Sequence, residues 1–130
     1  MAKKILLAGV AVFVAWSVLD FIIHVVILQA SYAATPGLFR PQAEMNMLLM
    51  YIVVLLAALA FAAAYGWFVG PKNPMTGLKY GLVVGFGAGV SMGYGSYSVM
   101  PIPYVMALVW FLGTWIKFAV AGLIAGAIET

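Results

Sequence analysis

Asp20, His24 and Lys117 stand deep inside otherwise apolar runs, and they are the side chains best placed for chemistry. Ser17, Asp20 and His24 follow one another at i, i+3 and i+7, which puts them on one face of a helix. An Asp-xxx-His step sets a carboxylate and an imidazole side by side as metal ligands. Ionisable groups within a membrane also mark proton and ion pathways. With one His and no Cys in the chain, further metal ligands would have to be thioethers, backbone or another subunit. Met45, Met47, Met50, Met92, Met100 and Met106 lie toward the same end as His24, and thioethers suit Cu(I), so Met47 and Met50 join Asp20 and His24 as weak metal candidates. Met is also a common gap-filling apolar residue. Haem or pigment ligation by His24 has no second marker, and the cofactor stays unknown.

Depth links Asp20 to Lys117. At ~1.5 Å per residue, Asp20 lies about 13 Å inside one end of its run and Lys117 about 19 Å below the same end of a later run. The axial gap of ~6 Å is within reach of a lysine side chain. Thr114 stands about one turn before Lys117. Left unpaired, each charge would cost ~2.5–3.5 kcal/mol at a helix centre in lipid. The expectation is that the two residues pair. A structural ion pair, neutralisation and exposure to a wet cavity are the open outcomes.

The elements that position these groups follow from composition. Of 130 residues, 67% are hydrophobic and 7% charged, far more apolar than a domain of this size can bury in water. The solvent is lipid. Nucleic-acid binding, a disulfide scaffold and a zinc-cysteine site are excluded by the scarcity of charge and the lack of Cys. Four apolar runs, at 5–29, 45–69, 77–99 and 104–128, are long enough for transmembrane helices, and all six prolines fall between them. The expected fold is an all-α bundle of four transmembrane helices forming a single domain over 1–130. Lys3, Lys4, Lys72 and Lys79 share one side and Arg40 the other, so the positive-inside bias places both termini in the cytoplasm of a bacterial inner membrane. Met1 to Lys4 and the small residues at 30–34 resemble a signal peptide, but the apolar stretch is too long and carries Asp20 and His24, so an uncleaved first helix is expected. The seven remaining charged groups, Glu129 among them, are accounted for by topology and exposed ends or loops.

Packing in lipid depends on small residues and interhelical hydrogen bonds. The third run carries Gly77, Gly81, Gly85, Gly89 and Gly93 at four-residue steps. Such a row turns by ~40° per step, so one straight neighbour is expected to follow about three glycines and a second neighbour the rest. Ala57, Ala60 and Ala64 of the second run, and Ala119, Gly122 and Gly126 of the fourth, are the complementary small residues. The surplus of glycine also allows a homo-oligomer seam or a docking face for other membrane subunits. Ser91, Tyr94 and Ser98 give the third run a polar stripe that could lie opposite Asp20 and His24. The 30–44 loop is read mainly as a connection.

Asp20-xxx-His24, Tyr32-xx-Thr35, Arg40-Pro41-xx-Glu44-Met45, and the 97–103 stretch followed by Trp110-Phe111-xx-Thr114 resemble small four-helix bacterial membrane proteins of unknown function. That resemblance implies the four-helix architecture and no activity. Size and a carboxylate in helix 1 are also similar to small multidrug-resistance transporters, although their characteristic Glu and aromatic pattern is missing. No nucleophile-base set, phosphate loop or carboxylate pair is present, so no enzyme is expected. The leading expectation is an accessory or structural subunit of a larger membrane complex. The alternative is a small homo-oligomeric transporter or proton-coupled channel built on Asp20, His24 and Lys117, and the more remote one is the outward copper site.

Overall fold

A computed structural model describes residues 1–130, the Gln42 side chain excepted. The chain is helical, and no strand occurs among the described residues. Helix α1 (Ala2–Asp20) continues into a wider π-helical stretch, Phe21–Ile27, closed by the Leu28 N–H on the Ile23 carbonyl at 3.0 Å. A short α2 (Gln29–Ala33) and a 3₁₀ turn (Gln42–Glu44) lead to α3 (Met47–Phe68). Helix α4 (Pro74–Val90) runs through a second π stretch, Ser91–Gly95, into α5 (Ser96–Val99), and α6 (Tyr104–Ile128) closes the chain.

Local chemistry sets these boundaries. Asn46 and Asn73 cap α3 and α4, their side-chain oxygens accepting from the Leu49 N–H at 3.0 Å and the Thr76 N–H at 2.9 Å. Pro74 occupies the first turn of α4, where a missing N–H removes no helix bond. Gly37, with φ of 85°, takes the left-handed conformation that lets the 30–44 segment turn back on itself.

Three helices, Ala2–Ile27, Met47–Phe68 and Tyr104–Ile128, are long and apolar enough to cross a membrane. The third apolar run forms the α4–π–α5 rod, but its glycines, serines and tyrosines dilute its hydropathy. Both chain ends and the 69–73 turn lie at one end of the bundle. Lys4 Nζ donates to the Thr130 carbonyl at 2.6 Å, and Tyr65 O–H donates to the Asn73 carbonyl at 3.3 Å.

The helices pack in the order α3, α1, α6, α4, with α6 seated between α1 and α4. This arrangement corrects two expectations about the small residues. Helix α3 lies on α1, burying Ala58 in the cluster of Val12 and Trp16 and Ala62 beside Ala8 and Ile5, while Ala57 and Ala60 are exposed. All five glycines of the α4 rod are buried against α6, where the backbone of Gly126, Gly122, Phe118, Phe111 and Ala107 and the side chains of the two phenylalanines meet them in turn. Two physical reasons keep the row on one partner. A row of i+4 positions is inclined ~26° to its own axis, so a helix lying along the row does not lose it. In the Ser91–Gly95 π stretch a four-residue step falls short of a full turn instead of passing it, which returns Gly93 to the seam.

Candidate functional site

The other side of α6 carries the chemistry. Gly113 has no side chain, and Ile23 packs into that space; an added Cβ there would stand 2.7 Å from Ile23 Cδ1. That contact brings the π stretch of α1 onto α6 about one turn from Lys117. Lys117 Nζ lies 2.6 Å from Asp20 Oδ1, the separation of a charge-assisted hydrogen bond. Trp16 holds the same lysine twice: its Nε1–H donates to the Lys117 carbonyl at 2.8 Å, and its ring lies 5.4 Å from the ammonium. The second contact is a cation–π arrangement.

From Asp20 the polar line continues toward the opposite end from the termini. His24 Nε2 stands 3.9 Å from Asp20 Oδ1, close enough for charge attraction and too long for a hydrogen bond. On the far side of the ring, His24 Nδ1 is 2.6 Å from the Tyr32 hydroxyl, which accepts from Trp110 Nε1–H at 2.8 Å. Burial pushes the Tyr32 phenol above its ordinary value, with the Trp110 bond opposing, so the O–H is retained at neutral pH. With neutral histidine, Tyr32 donates to Nδ1 and the ring proton sits on Nε2, facing Asp20. A proton gained at Nδ1 reverses that bond: Nδ1–H then donates to the second lone pair of the Tyr32 oxygen, and the phenol proton turns away. The histidine can therefore accept a proton without losing its tyrosine partner.

Asp20, His24, Thr114 and Lys117 line a cleft of about 280 Å³ together with Ile23, Ala88, Met92 and Trp110. Ser17 lies one turn from Asp20, but its Oγ is buried with no hydrogen-bond partner among the described residues and is not a cleft-lining group. Met47 and Met50 are exposed at the start of α3 and do not line the cleft; Met92 is the thioether that does. No group of three or more His, Cys, Asp or Glu side chains converges among the described residues.

The expected polar stripe of α4 goes elsewhere. Ser91 and Ser98 are exposed, and Tyr94 meets the Tyr104 hydroxyl at 3.0 Å. Because the glycine row claims the face toward α6, only Ala88 and Met92 of this rod reach the cleft.

Tyr32, Trp110 and Trp16 are the residues of this candidate site that helical spacing missed. The 30–44 segment does more than connect: Tyr32, Leu38 and Phe39 fold back onto the buried cluster of Ile23, Leu28, Ile102, Met106, Ala107 and Trp110. Tyr32 and Trp110 both stand within short polar and aromatic motifs visible in the sequence, Tyr32-xx-Thr35 and Trp110-Phe111-xx-Thr114. No protein-family model, curated protein or solved structure matches the chain.

Proposed function

We propose that the chain is a four-span bacterial inner-membrane protein, with both termini and the 70–76 turn in the cytoplasm, that carries protons through the cleft between α1 and α6. The observation that carries this reading is the polar line from Lys117 through Asp20 and His24 to Tyr32. In lipid such groups are costly, and a purely structural ion pair has no need of a tyrosine-bound histidine beside it. A proton entering by Tyr32 passes to His24 and then to Asp20, once a small rotation of the ring or the carboxylate closes their 3.9 Å gap to hydrogen-bond distance. Neutral Asp20 no longer holds Lys117, so proton arrival frees the lysine and re-forms the cleft. The sidedness rests on Lys3, Lys4, Lys72 and Lys79 at the end of the bundle that carries the termini, with Arg40 in the opposite loop.

Proteoliposomes loaded with a pH-sensitive dye test the reading. An imposed potential should acidify wild-type vesicles, and Tyr32→Phe and His24→Phe, which leave the ion pair intact, should slow this by about tenfold or more, as for loss of a proton-relay group. Wild-type flux no greater than that of empty vesicles would overturn it.

The accessory-subunit reading draws on one observation. Helix α3 is held mainly by α1 and leaves Leu48, Leu49, Ile52, Val53 and Leu56 exposed. Co-migration with a larger complex after gentle extraction, combined with inactive vesicles, would favour it. The glycine face no longer speaks for it, because α6 of the same chain fills that face.

A further inference from the structure

A second carboxyl group lies at the other end of the bundle. Glu129, just past α6, was expected at an exposed end, yet it is 2% exposed. Its carboxyl group sits against Gly66 of α3 and Ile5 of α1, and neither oxygen has a hydrogen-bond partner among the described residues. Gly66 provides the space, since an added Cβ there would collide with Glu129 Oε1. The surrounding ionisable groups do not neutralise it. Lys72 approaches from the turn but gives its ammonium to the Val69 carbonyl at 2.9 Å. Lys4 of α1 reaches the neighbouring Thr130 carbonyl instead, while Tyr65 of α3 and Tyr80 of α4 face the site but direct their hydroxyls to the Asn73 and Phe61 carbonyls.

An unpaired, unsolvated carboxylate is far more costly to bury than a neutral carboxylic acid. We propose that Glu129 is a proton-binding site at the terminus-bearing end of the bundle, and that its bound proton keeps the end of α6 docked between α1 and α3. This site is independent of the Asp20 cleft: Lys117 and Glu129 are about 18 Å apart along the helix, and Val12, Ala58, Phe61, Ala121 and Ala125 fill the core between them.

Burial pushes Glu129 up to about 7 from an ordinary 4.5, with Lys72 opposing. Because the docked form holds its proton more tightly than the undocked one, docking is strongest in acid. It weakens as pH rises from about 4.5 to about 7, and then levels off.

The chain has no native cysteine, so Ile128→Cys, whose parent side chain packs against the Ile5, Ala8 and Ala62 cluster, is a clean reporter. Maleimide labelling in lipid nanodiscs is compared with the same cysteine on Glu129→Gln, which cancels the intrinsic pH dependence of the thiol. Between pH 5 and pH 8 the ratio should rise on the order of 50-fold. A flat or falling ratio overturns the proposal. A rise abolished by sodium as well as by Glu129→Gln overturns the proton as the ligand that holds the helix at neutral pH and assigns that role to a metal cation; a rise of the same size in sodium and in choline buffers supports the proton. Infrared difference spectra provide an independent reading without the cysteine: a protonated-carboxyl band present in wild type and missing in Glu129→Gln should fade as pH rises, and its absence at pH 5 overturns the proposal.

Discussion

Helix α6 has two working faces built on opposite principles. Toward α4 it presents Gly122, Gly126, main chain and the inner parts of Phe118 and Phe111 to a row of glycines, so close approach of the two helices dominates the contact, with Trp115 Nε1–H donating to the Leu82 carbonyl at its margin. Toward α1 it presents Trp110, Gly113, Thr114 and Lys117, and specific polar partners decide the contact. A contact made of packing tolerates no added volume, whereas a contact made of charge tolerates volume but not the loss of one partner.

That contrast predicts the largest effect on the glycine face. Gly81→Val places a side chain against the Phe118 carbonyl, and the helices must separate. Thermal or denaturant unfolding in detergent should show a loss of about 3 kcal/mol or more, at the upper end of overpacking effects; a loss below ~1 kcal/mol would break the comparison. On the polar face, Asp20→Asn or Lys117→Met should each cost about 3 kcal/mol by leaving one charge unpaired. The double variant should recover most of that loss in the same assay, and additive losses would show that the pair is not the interaction that matters. The smallest effect sharpens the contrast within one helix. Gly87 is exposed, with nothing within 4 Å of an added Cβ, so Gly87→Ala should be neutral or stabilise by at most ~1 kcal/mol through helix propensity.

Much of this was legible from residue spacing. The positions of the long helical segments followed from apolar run length and proline placement, because both are local properties of the chain. Asp20 and Lys117 were matched from depth alone, since the axial coordinate along a membrane helix is nearly a count of residues. Lateral neighbours were less accessible. The glycine row was visible, yet its single partner was not, because a helical wheel assumes straight, parallel axes. Tyr32 falls in a segment that reads mainly as a connection, and only the return of the 30–44 segment over the bundle brings it to His24. In sequence Glu129 reads as an exposed terminal charge, and no periodicity marks the gap that Gly66 opens for it three elements away.

Taken by itself, the amino-acid sequence determined the solvent, the helical class and the three ionisable groups at membrane depth, all of which depend on composition and on counting along one axis. The tertiary structure decided which faces meet, how Tyr32 and Trp110 complete the polar line, and that Glu129 is enclosed. Those outcomes depend on the lateral fit of several helices at once, where the absence of a Cβ on one helix fixes what a distant side chain can occupy.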